Sequence, residues 1–448
     1  MRVTWVQPSD LLRHELWQST AEGRDVTAQR DRWQAAGGLV EPPHVGASGE
    51  CDALAALADE LLTEIATLPE VGAGIEPSDW ADIVSTLPST PSPGTGVTAA
   101  TRGTFPDRVL AGWTGRAVGC VLGKPVEKIP RRGIEEILRS NGRWPLDRWI
   151  TAVGVPAEVT ERWPWNRASR ATSLEETING TPEDDDLNYA LMALRVLERC
   201  GRDFTPDDVA QGWLLDLPAG RSFTAERIAY RNLLAGLSPP LSARVRNPYR
   251  EWIGAQIRTD VYGWVCPGDP LRAAELAWRD ACVSHTRNGI YGAMAVAAMC
   301  AVAVVAESID PVLDAGLAVV PPQSRMAHAL SLGRALADAE PTEAYEALES
   351  EYAGVHWVHA LNNAALVSYA LAASRGDFDR AICLTVMGGW DTDSNGATVG
   401  SIAGALGGTG AIAERWTGPL QGRLSSALPD CDGVTFLDVA ERTVALAG

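Results

Sequence analysis

Two acidic clusters far apart in the chain hold the residues best suited to chemistry. Glu183-Asp184-Asp185-Asp186 opens an apolar run from Leu187 to Leu197, and Gly389-Trp390-Asp391-Thr392-Asp393-Ser394-Asn395 opens another from Gly396 to Ala413. Consecutive carboxylates repel one another, and each like-charged neighbour raises a carboxyl pKa. Such a run is tolerated where water solvates it or where a cation holds it together, and a hard divalent ion taking oxygen ligands is the natural counter-charge. Folded together, the two clusters would make a carboxylate and hydroxyl cage for one or two Mg2+ or Mn2+ ions. Taken alone, the first cluster also reads as a helix cap, because carboxylates at a helix N-terminus gain up to about 1 kcal/mol each from the macrodipole. The second asks for more than a cap. Asp-x-Asp in an extended turn aims two side chains at one cation, with Ser394 or Thr392 adding an oxygen, whereas an Asx-turn accounts for one aspartate only.

Other candidates are weaker on their own. His356 and His359 stand three apart in VHWVHALNN, a metal-binding spacing without a third soft ligand nearby, so they read as cleft-lining or packing residues. His285 lies between two apolar segments, where a hydrogen-bonded core histidine is the plain reading. Tryptophan is abundant at sixteen residues, and Trp163, Trp165, Trp264, Trp357 and Trp390 are candidates to stack on a flat ring, Trp390 being nearest the acids. Asp269 before Pro270 reads as a helix cap.

Long Ala/Leu-rich segments broken by short Pro/Gly turns must position these groups. Helical periodicity predicts helices over 107–122, 131–140, 186–199, 206–215, 223–235, 271–283, 289–307, 324–338, 342–352, 359–374, 377–386 and 395–413, while period-two strand signals are scarce. The fold class is therefore all-α. Gly396, Gly400, Gly404 and Gly408 recur every fourth residue and predict a close helix crossing that would fix the Asp391–Ser394 loop. Ahead of this body, residues 1–100 read as a helical N-terminal extension, with a polar amphipathic stretch from Ser9 to Gln34 and a leucine-spaced one from Glu50 to Thr67. STLPSTPSPGTG (85–96) reads as a linker. A boundary near residue 100 leaves 101–448 as the catalytic body.

The net charge of −19 argues against a general nucleic-acid surface, which needs a basic stripe. Eight scattered cysteines without a CxxC pair fit reduced thiols in a cytoplasmic protein, and MRVTWVQPSDLLRHELW lacks the basic-then-apolar layout of a signal peptide. Residues 289–306 raise the question of a membrane span by length, but their Ala/Gly content predicts a buried helix instead.

Three segments resemble the ADP-ribosylglycohydrolase family. Asp107 to Glu127 (DRVLAGWTGRAVGCVLGKPVE) is similar to its opening helix, with Gly119, Gly123, Pro125 and Glu127 falling on Gly-Asp-x-x-Gly-x-Pro-x-Glu. Glu183–Asp186 takes the place of Thr-Asp-Asp-Thr, Asp391–Ser394 resembles Asp-Thr-Asp-Thr, and Ser284-His285 looks like the family's Thr-His. The resemblance covers about 107 to 413, in order. It implies a helical bundle with a dinuclear Mg2+ cleft, in which Asp184, Asp185, Asp391, Asp393 and Ser394 are metal ligands. Glu183 stands where a ligand threonine is usual, Cys120 replaces an aspartate and Asp186 a threonine, which opens the question of substrate.

By the same resemblance Glu127 is the first candidate for proton transfer and Asp185 the second. Gly119, His285, Trp390 and Asn395 are the substrate-binding candidates, His285 toward a phosphate or distal ribose. Paired cations can grip a ribose diol and lower the pKa of a shared water, next to an oxocarbenium-like centre that carboxylates stabilise. The expected activity is Mg2+-dependent hydrolysis of the N- or O-glycosidic bond of an ADP-ribosylated or related ribosylated compound. A non-catalytic ADP-ribose or nucleotide binder and a metal-dependent phosphoesterase are the alternatives that use the same residues.

Overall fold

The computed structural model describes residues 3–42, 52–70, 72, 74–88, 101–166 and 169–447. Its described residues form helices and three isolated bridges, with no strand. Each helix expected between 107 and 413 is present, most within two or three residues of the expected ends. The last one differs most: it runs Thr392–Gly407. It begins early because Asp391 takes the N-cap position, and it stops early because Gly408 turns to φ +74°. Among the described residues two helices of ten residues or more went unpredicted. Phe436–Leu446 is announced by a capping box between Thr435 and Asp438, and Ile309–Ala318 carries Pro311 in its first turn, where no intrahelical N–H is lost.

Three helices form the interior. Ala360–Ser374 is buried along its whole length, Arg287–Ala303 nearly so, and Thr392–Gly407 is buried up to Leu406. Among the described residues no helix is long and apolar enough to cross a membrane. Seven cysteines among the described residues are free thiols, six of them buried.

The glycine stripe makes the crossing that positions the site. Thr392–Gly407 packs antiparallel on Phe105–Gly123, with Gly396 against Gly119 and Gly400 against Gly115. A methyl group at any of these four glycines would overlap a backbone carbonyl of the facing helix. The backbones therefore touch, and Thr392 Oγ1 donates to the Gly123 carbonyl at 2.8 Å. This crossing sets the C-terminal end of one helix, followed by Lys124 and Glu127, beside the N-terminal end of the other, which carries Asp391 and Asp393. Gly408 lies beyond the stripe and serves the helix end.

The N-terminal segment is woven into the body. The polar stretch expected over Ser9–Gln34 is two helices, Pro8–Ala21 and Thr27–Ala35, broken where Gly23 takes φ +81°. Pro8–Ala21 is buried despite its polarity, with Leu11, Leu12 and Leu16 in the main apolar core. Its acids explain this. Arg250 donates to Glu15 and Glu22 at 2.7–2.9 Å, while Glu76 accepts from Arg287 and Arg325. The leucine-spaced stretch forms Ala55–Ile65. The linker run begins inside the helix Trp80–Thr86, and from residue 89 to 96 it lies outside the described residues.

Candidate functional site

The two acidic clusters converge on one cavity of about 660 Å3, lined by Asp184, Asp185, Asp186, Asp391, Asp393 and Ser394 together with Lys124 and Glu127. Ser394 Oγ donates to Asp186 Oδ2 at 3.4 Å, which closes the gap between segments two hundred and eight residues apart. Local structure aims each group. Asp184 caps the Asp185–Cys200 helix, its Oδ1 accepting from the Asp186 N–H at 2.9 Å. Buried Arg116 grips the Asp186 carbonyl with Nε and Nη2 at 2.9 and 2.7 Å and pairs with Asp260. On the other side, Gly389 and Trp390 both take positive φ, a costly conformation for a bulky residue that turns the chain into Asp391. Asn363 accepts from the Asp391 N–H and from Asn395 Nδ2, and donates to the Trp357 and His359 carbonyls at 2.8 Å each.

The cluster is buried rather than solvated: Asp184, Asp391 and Asp393 are each 6% exposed and Asp186 2%. Burial, followed by Asp393 and Glu127, pushes the Asp391 carboxyl well above the usual range. Burial, with Asp393 and Asp185, does the same to Asp186. Burial and Asp393 raise Glu127 to about 7, and burial raises Asp185 to about 6 against the pull of Lys124. The Lys124 ammonium pairs with Asp184; burial works against its charge, but Cys120, Asp393, Asp185 and Glu127 hold it above the usual lysine range.

Oxygens of Glu127, Asp391 and Asp393 lie within 4.8 Å of one another, as do the donor atoms of Cys120, Asp184 and Asp186. The first set is all oxygen and suits a hard divalent ion. The second contains a thiol that burial keeps protonated, a poor partner for such an ion, and its Asp184 is shared with Lys124.

Residues 101–446 match the sequence pattern of the ADP-ribosylglycohydrolase family. The chain belongs to that family. Among solved structures, a chain described as an ADP-ribosylglycohydrolase-related protein complex is 24% identical. The match covers 77% of this chain and 98% of that one, with a TM-score of 0.46. No curated protein matches. This member of the family is accordingly a glycosyl-bond hydrolase with an all-α fold and acidic clusters suited to metal.

Within that framework the expected site residues separate. Asp184, Asp391 and Asp393 fall in the donor sets, and Glu127 joins them as a donor. Asp185 and Ser394 line the cavity beside them. Glu183 lines it too, but its carboxylate is held by Asn188 Nδ2 at 2.6 Å and Arg221 at 3.0 Å. The substrate-binding candidates are not among the residues that line the acidic cavity. Gly119 is enclosed in the helix crossing, and Asn395 is fully buried against Asn363. His285 is buried on Ser284 Oγ at 2.8 Å, near Glu226, and Trp390 lines a neighbouring cavity. The sequence reading gave no role to Lys124, Asn363, Glu226 or Tyr189. Lys124 sits inside the quoted GKPVE motif, so its position was visible, but its charge among four acids was not. Tyr189 lines the cavity one turn beyond Asp185 on the helix Asp185–Cys200, and Glu226 lines it from Thr224–Leu234, a helix without an acidic motif; burial raises Glu226 to about 7 although Arg258 binds it.

Proposed function

We propose that this chain is a divalent-cation-dependent glycohydrolase cleaving the anomeric C–N or C–O bond of a ribosylated substrate of the ADP-ribose type, with Mg2+ as the ion. The observation that carries the reading is the buried convergence of Asp184–Asp186 with Asp391–Ser394, whose carboxyls are raised first by burial and then by one another. In this reading Glu127, Asp391 and Asp393 would hold one ion, and Asp184 and Asp186 would hold a second in competition with the Lys124 ammonium on Asp184, so the two affinities would differ. A bound divalent ion supplies Lewis-acid polarisation of ribose hydroxyls and water of lowered pKa.

The chain's own groups do the rest. Glu127, held by Asn166 Nδ2 at 2.5 Å and Lys128 at 3.0 Å, is placed to take a proton from water. The bond from the anomeric carbon to the leaving group breaks, one from that carbon to the water oxygen forms, and the proton that the water gave to Glu127 passes to the leaving group, which departs as its neutral acid. Asp185 stabilises the positive charge that develops at the anomeric centre. Reduced thiols support a reducing compartment such as the cytoplasm.

The test is a panel of ribosylated compounds followed by mass spectrometry, with wild type and Asp393→Ala, with Mg2+ and with chelator. Release of a free ribosyl or ADP-ribosyl product that needs both the metal and Asp393 is expected. Release of inorganic phosphate instead, or full turnover in chelator, would overturn the proposal.

A further inference from the structure

Beside the acidic cavity lies another, of about 330 Å3, whose wall is largely aromatic: Trp17, Trp252, Trp357, Trp390, His14 and His356. Lys128 and Trp357 line both cavities, so the two share a wall. The rings hold one another in place. Trp252 stacks on His356 with centroids 4.3 Å apart and meets His14 edge-on at 5.2 Å, and Trp390 meets Tyr352 edge-on at 6.4 Å. Among the described residues, one polar atom of this wall has no hydrogen-bond partner: Nε2 of His14, a residue only 3% exposed. A buried ring nitrogen left unpaired is costly, and a ligand that pairs with it recovers that cost. His14 and Trp17 belong to the helix Pro8–Ala21, ahead of residue 101, where the family match begins.

We propose that this cavity is a subsite for a planar, uncharged heteroaromatic ring of the ribosylated substrate, and that the N-terminal segment recognises it through Trp17 and His14. The proposal rests on the glycohydrolase reading for what occupies the adjoining acidic cavity. The size is at the small end for ligand pockets and suits a ring rather than a whole nucleotide. Every base offers a π-face, so stacking supplies affinity, while a hydrogen bond to Nε2 supplies orientation. Burial, with His356 and Arg13 nearby, holds the His14 imidazole well below its ordinary range, so the ring is neutral and pairs with either a donor or an acceptor. An aromatic wall can also cage a quaternary ammonium ion. The Lys128 ammonium on the shared wall opposes that occupant and favours a neutral ring.

The test is calorimetry and tryptophan fluorescence on the full chain in chelator, with adenosine, guanosine, inosine, uridine and tetramethylammonium as probes. At least one neutral nucleoside is expected to bind and quench the fluorescence. Trp17→Ala and His14→Leu are each expected to weaken it about tenfold or more. Trp17 is only partly buried, so its variant is the safer fold, and a circular dichroism melt accompanies both. Failure of every nucleoside to bind, equal binding in both variants, or displacement of the nucleoside by tetramethylammonium overturns the subsite. If nucleosides bind through Trp17 but Mg2+-loaded wild type cleaves nothing, the subsite stands and the glycohydrolase reading falls.

Discussion

At the scale of single residues, the site is a contest for charge. Lys124 already neutralises part of the cluster through Asp184, in the place where a second cation would act. Replacing it by methionine removes one competing positive charge. Lys124→Met is therefore expected to tighten the weaker of two divalent sites by about tenfold, roughly 1.4 kcal/mol, as read by calorimetry with Mn2+; unchanged affinities would show that Lys124 does not compete. Asn363 works through other groups, holding the Asp391 backbone and the Asn395 amide with one oxygen. Outer partners of this kind are worth about 10–100-fold in metal affinity. Asn363→Ala should lose that much Mn2+ affinity by electron paramagnetic resonance while Asp391 and Asp393 stay in place.

The decisive element is the pair of crossed helices, Phe105–Gly123 and Thr392–Gly407. Their glycines exchange helix propensity, about 1 kcal/mol each against alanine, for backbone contact that carries the donors to one spot. Gly400→Ala lies two turns from the acids and touches none of them, yet its methyl would meet the Gly115 carbonyl. Overpacking costs about 1–3 kcal/mol, and backbone against backbone leaves little room to relax. A lowered melting temperature together with weakened metal binding is expected; a variant that loses stability but binds metal normally would show that the crossing does not set the donor geometry. The same logic separates Gly119 from the ligand, since its role is exhausted by the facing carbonyl of Gly396.

For the whole molecule, the N-terminal segment is held by charge as much as by apolar contact. Burial would raise the Glu22 carboxyl, but Arg250 outweighs it and holds the group at about 2. Arg325 does the same for Glu76, also at about 2. Both values lie below the ordinary 4.5, so these carboxylates add stability at any pH above 4.5 and lose it as the pH falls toward 2. Acid should release the Pro8–Ala21 helix in that window, visible as proteolytic cutting near the N-terminus. Resistance unchanged down to pH 2 would contradict it. Arg250→Ala leaves two buried carboxylates without their partner and is expected to cost about 3–5 kcal/mol in denaturant unfolding. If His14 and Trp17 serve the neighbouring site as inferred, both treatments also abolish nucleoside binding.

Helix positions, the all-α class, the glycine crossing and the two acidic clusters are all written in local patterns: apolar periodicity, small residues at fixed intervals, Asp-x-Asp before a helix. Those patterns depend on a few neighbouring residues, so one chain suffices to read them. Sequence spacing does not fix which carboxylates face each other, because that depends on how distant helices pack. Packing alone brought Asp186 to Ser394, set Lys124 among acids, turned Glu183 toward Arg221 and closed His285 and Gly119 off from the cavity. It also buried a polar N-terminal helix, whose acids found arginines more than two hundred residues away. A side chain's role here is decided by partners that no interval along the sequence encodes.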